Sequence, residues 1–453
     1  MQRSMIEKLL KWKNKPNRKP LIMYGVRQAG KTWLMKDFGA KHYKQTAYVS
    51  FDSNEQVKRI FNDDFNISRI VQALSIETGM SINPDDTLIV FDEVQECPRA
   101  LTSLKYFDEH SVGHSVGHSM ENAGKYHIAA TGSLLGVMSL EGTGFPVGKV
   151  EILTLYPMTF LEFLEAVDNR FVKIIKESDF RQLSVFHASI IDLLQQYFFV
   201  GGMPAAVKNY AETRDFSEVR EIQKAILDSY YADFAKHIPA ATIAKVRAIW
   251  DSAPAQLAKE NKRFLYSDMK QGSRGREYEI ALQWLKDSGL LFMLNRVSLP
   301  KVPLIAYREM PIFKLYMPDV GLLSARSSLS QRAFLETDHN VFSHYKGVLA
   351  EQFVLQEILA AYDYLPVYYW AAEKNDAEIE FVIQSKNAKE EDIVIPLEVK
   401  AGKNVKSESL KTYRNTFNPE ITVRGSLLEY SRNKGNYEIP LYMIGNVIDK
   451  IRL

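Results

Sequence analysis

The segment that most constrains this chain is Gly25–Thr32, a glycine-rich turn with the spacing G-x-x-x-x-G-K-T. The apolar run Leu21–Tyr24 precedes it and predicts a buried strand, whereas Thr32–Phe38 predicts the opening of a helix. Between such elements, the two glycines let the backbone wrap around phosphate groups, and the helix N-terminus faces the anion. A turn that binds nothing would not need the strand, the Lys-Thr pair and the helix together. The residues predicted to hold the nucleotide are Gly25, Val26, Arg27, Gln28, Ala29, Gly30, Lys31 and Thr32.

Roles within this loop follow from the chemistry of phosphate binding. We expect the Lys31 ammonium to reach the β- and γ-phosphates and the Thr32 hydroxyl to hold Mg²⁺. The predicted cofactors are therefore ATP and Mg²⁺.

Two later strands supply further candidate residues. Leu88–Glu93 is an apolar run that ends in two acids, the Walker B pattern, in which Asp92 orients Mg²⁺ and Glu93 positions or activates the attacking water. A buried strand with a solvated acidic end is the alternative, and the upstream phosphate loop disfavours it. Tyr126–Ser133 predicts another core strand, whose Thr131 or Ser133 would sense the γ-phosphate unless the segment is a simple strand-to-loop turn.

Composition places few limits on function. The chain has 453 residues, 46% hydrophobic and 25% charged, as in an ordinary globular protein of several domains. A net charge of +2 neither requires nor excludes nucleic acid. Cys97 is the single cysteine, which fits a reducing compartment. Because no apolar run approaches the ~18 residues of a membrane span and the N-terminus lacks the apolar core of a signal peptide, we expect a cytoplasmic protein without a membrane partner.

Four regions differ in their periodicity. Strands alternate with helices over residues 1–165, which predicts an α/β fold with a parallel sheet covered on both faces. Over 166–240 the pattern is helical and predicts a lid or connector. Three helical stretches (Thr242–Ser252, Ala255–Glu260 and Arg276–Asp287) and two extended runs over 241–325 predict a winged helix-turn-helix. Its recognition helix would present three basic residues to DNA phosphates, although packing between neighbouring domains explains the region equally well: Lys270, Arg274 and Arg276.

A second αβ unit is predicted over 340–453. Glu398 and Lys400 lie two residues apart on a strand and therefore share a face. Glu380 lies on the preceding strand and Glu351 on the preceding helix. Such carboxylates with a lysine suit a Mg²⁺ site for phosphodiester hydrolysis. Because the pattern Glu-x-Lys is common, a solvated strand face explains it equally well.

The chain contains one short repeat, which carries His110, His114 and His118. On a helix these histidines would share a face and could bind a transition metal. Tandem duplication within a loop is the simpler explanation, because the two glycines of the repeat disfavour a helix.

Together these motifs resemble the predicted AAA+ superfamily ATPases of bacteria and archaea that carry a P-loop domain, a winged helix and an uncharacterised C-terminal region. The resemblance implies a P-loop AAA+ parallel-sheet domain, a helical and winged-helix domain, and an αβ domain similar to PD-(D/E)XK restriction endonucleases. Glu380 falls at the usual Asp of that pattern, Glu398 at the second acid, Lys400 at the lysine and Glu351 at the helix acid. The segments that carry the resemblance, besides the two nucleotide motifs, are Ala130–Gly136, Leu155–Phe160, Gly201–Pro204, Lys314–Leu322 and Pro396–Gly402.

Two hypotheses of different classes follow. The first is an ATPase that couples nucleotide state to DNA engagement, with Mg²⁺-dependent cleavage by the C-terminal domain left open. The second is a nucleotide-dependent switch or interaction protein, whose endonuclease-like domain is a catalytically inactive scaffold. A phosphotransferring kinase is disfavoured by the Asp92-Glu93 pair and the large C-terminal assembly. Assembly into a homo-oligomer also stays open.

Overall fold

The computed structural model describes residues 1–110, 126–132, 145–178, 180–259, 262–269, 271–272, 274–331, 334, 340–373, 376–401 and 407–452. The chain divides into two compact units. The N-terminal unit comprises Arg3–Leu155 with Asp287–Gly289, and the C-terminal unit comprises Met1–Gln2, Tyr156–Lys286 and Leu290–Leu453. Ser133 and the repeat residues His114 and His118 lie outside the described residues.

The N-terminal unit is built around a five-stranded parallel sheet with the order β2-β3-β4-β1-β5. Strands β1 and β3 both pair with β4, so their carboxyl ends lie one strand apart at the same sheet edge. The α/β fold with a parallel sheet, predicted from the sequence, is confirmed. The strands are β1 Leu21–Tyr24, β2 Gln45–Ser50, β3 Thr87–Asp92, β4 His127–Thr131 and β5 Glu151–Thr154; the helices are α1 Met5–Lys13, α2 Lys31–His42, α3 Glu55–Arg59, α4 Ile67–Thr78 and α5 Pro98–His110.

Both faces of this sheet are covered by apolar side chains. Strand β1 contributes Ile22 to one buried cluster and Met23 to another, and β3 alternates in the same way with Ile89 and Val90. Every residue of β1, β3 and β4 is buried. Continuous apolar strands are typical of a parallel sheet enclosed by helices, which explains why these segments show no hydrophobic alternation in the sequence.

The C-terminal unit begins with helices and ends in a mixed sheet of eight strands, ordered β12-β13-β11-β10-β9-β8-β6-β7. The helices are α6 Phe160–Val167, α7 Val172–Glu177, α8 Phe180–Val200, α9 Pro204–Thr213, α10 Phe216–His237, α11 Ala240–Leu257, α12 Gly275–Asp287, α13 Val320–Arg326, α14 Asn340–Ala361, α15 Glu408–Phe417 and α16 Val447–Arg452. The strands are β6 Phe292–Val297, β7 Arg308–Tyr316, β8 Val367–Ala371, β9 Glu378–Lys386, β10 Asp392–Lys400, β11 Thr422–Ser426, β12 Ser431–Asn433 and β13 Asn436–Pro440.

The hairpin β6–β7 comes from the region predicted as a winged helix, yet it extends the C-terminal sheet. Strand β6 pairs in parallel with β8 through Arg296 and Tyr369. The eight-stranded sheet therefore contains strands from both predicted domains, 241–325 and 340–453. The limits of these two domains stay predictions. Two helices predicted within the first of these domains form one, because α11 continues through Pro254.

Helix α8 is long and apolar enough to span a bilayer by length and composition alone, with 39% of its most apolar window buried within the unit. The prediction from the sequence concerned uninterrupted apolar runs, whereas α8 passes this test by its mean hydropathy, with polar residues interspersed. Core helices of globular proteins pass the same test. The C-terminal half of α8 supplies the buried residues Tyr197, Phe198 and Phe199.

Three of the segments that carry the family resemblance meet inside this unit. The amide of Met158 donates to the carbonyl of Gly202 at 2.7 Å, and the amide of Gly202 donates to the Asp319 carboxylate at 2.6 Å. A Cβ atom at Gly202 would lie 2.1 Å from the Met158 carbonyl oxygen. Only glycine therefore fits at position 202, where the backbone comes this close to the backbone of Met158.

Candidate functional site

The glycine-rich loop joins β1 to α2 and has a backbone that requires its glycines. Gly25 has φ +155°, and a Cβ atom there would lie 2.2 Å from the Leu155 carbonyl oxygen. Gly30, immediately before α2, has φ 94° in the left-handed region. Gln28 also adopts a positive φ of 66°. The loop thus curls tightly at the N-terminus of α2, where a helix favours anions.

Lys31 lies in the centre of this curled loop. Its ammonium donates to the carbonyl oxygens of Gly25 at 2.9 Å and Val26 at 3.1 Å, and the residue is buried. Burial lowers the pKa of Lys31 to about 8, although the carboxylates of Glu93 and Asp92 act to raise it. An incoming phosphate would add further negative charge beside this ammonium and favour its protonated form.

Asp92, at the end of β3, is the centre of a hydroxyl cluster. Its buried carboxylate accepts from the Thr32 hydroxyl at 2.9 Å and from the Tyr48 hydroxyl at 2.5 Å. The Thr131 hydroxyl at the end of β4 also donates to Asp92. The structure therefore brings together Thr32, Asp92 and Thr131, which were selected from the sequence. Tyr48 was missed, because its contact depends on the neighbouring position of β2.

Glu93 directly follows Asp92, and the backbone turns away from the strand direction at this residue. It has φ 53° and precedes a short 3-10 helix, Val94–Glu96, and its carboxylate accepts from the side-chain Nε2 of Gln95. Glu93 is partly exposed, whereas Asp92 is buried. The turn thus separates the two acids, one within the hydroxyl cluster and the other at the partly open sheet edge.

The donor set of this site fits a magnesium nucleotide. The Thr32 hydroxyl and the Asp92 carboxylate offer adjacent oxygen atoms, the ligand type that Mg²⁺ prefers. Lys31 supplies a positive charge inside the glycine-rich loop. Asp92 and Thr32 would hold the ion, and the loop with Lys31 would hold the phosphates.

The acids selected in the C-terminal unit all lie at buried positions. Glu351 on α14, Glu380 on β9 and Glu398 on β10 are buried, while Lys400 is partly exposed. The amide of Val399 donates to Glu380 at 3.1 Å, and the Lys400 ammonium lies 3.3 Å from a Glu398 oxygen. The β9–β10 pairing thus brings Glu380 beside the Glu398–Lys400 segment, as strand alternation predicts.

The acidic side chains of this region are paired with lysines and with a hydroxyl group. Lys262 forms an ion pair with Glu351, Lys314 pairs with Glu378 at 2.5 Å, and the Ser407 hydroxyl donates to Glu398. Within the described ranges, no group of three or more His, Cys, Asp or Glu side chains is placed to hold a metal ion. The Mg²⁺ site predicted for the C-terminal unit stays a prediction. Lys262, which the sequence did not indicate, pairs with Glu351, one of the acids of that predicted site.

Two of the three basic residues selected for DNA are described. Arg274 and Arg276 are exposed at the start of α12, and Lys270 lies outside the described residues. Glu277 and Glu279 are exposed on the same helix. The surface of α12 therefore carries both signs of charge.

Family models match three parts of the chain. Residues 17–164 match a model described as an AAA domain. Residues 191–333 match the domain of unknown function DUF8612, and residues 346–444 match the domain of unknown function DUF4143. The expected similarity of the C-terminal domain to PD-(D/E)XK endonucleases is not among these descriptions.

Whole-chain comparisons add relatives at low identity. An uncharacterized protein of Methanocaldococcus jannaschii is 24% identical over 372 residues, covering 81% of this chain and 72% of that protein. The Walker-type ATPase of Pyrococcus abyssi is 13% identical, with a TM-score of 0.43 over 72% of this chain and 95% of its own. The Aeropyrum pernix ORC2 protein is 14% identical, with a TM-score of 0.33 over 72% and 94%. These TM-scores are too low for any inference about this chain.

Proposed function

We propose that the N-terminal unit binds ATP with Mg²⁺ and hydrolyses it. The observation that carries this proposal is the hydrogen bond of 2.9 Å between the Thr32 hydroxyl and the Asp92 carboxylate. It places the last residue of the phosphate loop beside the Walker B acid, as required for two ligands of one ion. Glu93 follows on the partly open side and would position the attacking water.

The test separates binding from turnover. Lys31→Ala removes the charge that meets the β/γ-phosphates, so nucleotide binding should fall sharply. Glu93→Gln should keep nucleotide binding and reduce turnover by about 10²-fold or more, because it removes a group that acts on the water. Binding is measured with a fluorescent ATP analogue and turnover by phosphate release.

Matched controls come from exposed residues of the same unit. Lys41→Ala changes an exposed lysine of α2, and Glu55→Gln changes an exposed acid of α3. Both should retain binding and turnover. Equal affinity and equal turnover of Lys31→Ala and the wild type would exclude this assignment.

DNA engagement is the second candidate function, and it rests on the exposed positions of Arg274 and Arg276 at the start of α12. Their joint replacement by alanine should reduce the slope of log affinity against log salt by up to about two counterions. The paired replacement Lys208→Ala and Lys224→Ala, two exposed lysines on α9 and α10, is the control. An unchanged slope for the arginine variant would remove this surface from a DNA role.

For the C-terminal acids, the contacts favour an inactive scaffold over a nuclease. The supporting observation is that Lys262, which lies outside the predicted motif, already pairs with Glu351, one of the acids that would otherwise bind Mg²⁺. Supercoiled plasmid incubated with Mg²⁺ or Mn²⁺, with and without ATP, should stay intact. Nicking that Glu398→Ala abolishes would establish the nuclease hypothesis instead.

A further inference from the structure

Lys262 lies between α11 and α12 and reaches into the C-terminal sheet. Its side chain is 16% exposed and its ammonium forms an ion pair with Glu351 on α14. Two residues further on, the amide of Phe264 donates to the Phe313 carbonyl at 2.8 Å. The amide of Leu265 donates to the Gln256 side chain at 2.6 Å. Backbone hydrogen bonds therefore hold this segment against β7 and α11, and the lysine is directed inward.

The partner of Lys262 is a deeply buried acid. Glu351 is 3% exposed, and its second carboxylate oxygen lies 3.4 Å from the Tyr316 hydroxyl. Burial acts to raise the pKa of Glu351, but the charges of Lys262 and Lys314 outweigh it and hold the pKa below its ordinary value. For Lys262, burial acts to lower the pKa, and the charges of Glu351 and Glu380 reverse that effect and raise it. Both members of this pair are therefore charged at neutral pH.

The surrounding cluster is close to electrically balanced. Three lysines and four glutamates take part, and they are Lys262, Lys314, Lys400, Glu351, Glu378, Glu380 and Glu398. The three lysines nearly match the four glutamates in number, which leaves little net negative charge to offset the desolvation of a divalent ion.

We propose that Lys262 is a built-in cation that takes the place of a metal ion between Glu351 and Glu380 and closes this site to Mg²⁺. The ammonium neutralises the buried acids, as a metal would, but it cannot activate water as a Lewis acid. The same ion pair joins the segment after α11 to α14. This inference concerns the C-terminal unit alone and deepens the scaffold proposal without depending on ATP hydrolysis.

Removal of the lysine charge should expose a metal site. Lys262→Met keeps a long side chain and leaves Glu351 without its cationic partner. We expect this variant to gain one Mn²⁺ site that is lost again in the double variant Lys262→Met/Glu351→Gln. The wild type, Lys262→Arg and the control Lys259→Met, at a half-exposed lysine paired with Asp268, should bind no Mn²⁺ more tightly than about 1 mM.

The measurement is a titration of nucleotide-free protein with Mn²⁺, in which electron paramagnetic resonance counts the free ion. Circular dichroism verifies that each variant is folded. A folded Lys262→Met variant that gains no Mn²⁺ site would overturn the proposal. If Lys262→Met does not fold, the same Mn²⁺ titration of the wild-type protein tests the proposal. An Mn²⁺ site in the wild type that Glu380→Gln removes would overturn the proposal, and the absence of any such site would support it.

Discussion

Glu357 offers a direct test of how burial controls stability in the C-terminal unit. This acid of α14 is 4% exposed and accepts a hydrogen bond of 2.8 Å from the amide of Phe160. Burial raises its pKa from the ordinary 4.5 to about 8, with a smaller contribution from the charge of Glu162. The folded protein therefore carries a proton at Glu357 under conditions in which the unfolded chain has lost it.

The sign of the effect follows from that proton. Between pH 4.5 and about 8 the native state binds more protons than the unfolded state, so the free energy of unfolding falls as pH rises. Over the full interval the free energy of unfolding should fall by about 5 kcal/mol, at about 1.4 kcal/mol per pKa unit. Glu357→Gln keeps an oxygen that can accept from the Phe160 amide and removes the ionisation. As pH rises from 5 to 8, the free energy of unfolding of the variant should therefore increase by about 4 kcal/mol relative to that of the wild type.

Urea denaturation followed by tryptophan fluorescence measures this difference at each pH. Glu212→Gln, which changes an exposed carboxylate of α9, is the control. Its difference from the wild type should stay level across the same interval. Parallel stability curves for Glu357→Gln and the wild type would show that Glu357 is ionised in the native protein, and would refute the argument from burial.

Further predictions concern two well-defined contacts. Tyr48→Phe removes one of three hydroxyl donors to Asp92 but keeps the ring, which packs against the Lys36 ammonium at 3.9 Å. The Mg²⁺ concentration for half-maximal ATP hydrolysis should rise about 10- to 100-fold, and an unchanged value would exclude an orienting role for Tyr48. Gly202→Ala should destabilise the C-terminal unit by at least about 4 kcal/mol, since the new methyl group would overlap the Met158 backbone. Gly347→Ala in α14, where a Cβ atom meets nothing within 4 Å, should stabilise the unit by about 0.5–1 kcal/mol. Urea denaturation compares the two glycine variants, and a similar change in stability for both would contradict the predicted overlap at Gly202.

The nucleotide site could be predicted because its chemistry is concentrated in short segments. The glycines, Lys31 and Thr32 lie within one loop, and β3 ends in Asp92 as the sequence indicates. Tyr48 could not be found in this way, since it lies 44 residues from Asp92 in the chain and meets it only through the sheet order. The identity of the neighbouring strand, which sets this contact, was not contained in the local pattern of the sequence.

The C-terminal unit shows a different limit of sequence analysis. Strand alternation placed Glu398 and Lys400 on one face, and the structure pairs them. Lys262 is separated from Glu351 by 89 residues and lies in a connecting segment without periodicity, so nothing local marked it as a partner. The sequence predicted separate helices over Thr242–Ser252 and Ala255–Glu260, but α11 continues through Pro254, and the amide of Ala258 donates to the Pro254 carbonyl.

The pairing of β6 with β8 has a consequence for how this chain can change in evolution. The segments that match two separate family models, 191–333 and 346–444, contribute strands to one sheet and side chains to one apolar core. A recombination event that removed only the second segment would leave β6 with an unpaired edge and part of that core open to water. The two segments are therefore a single heritable module, and a lineage that loses one should lose the other.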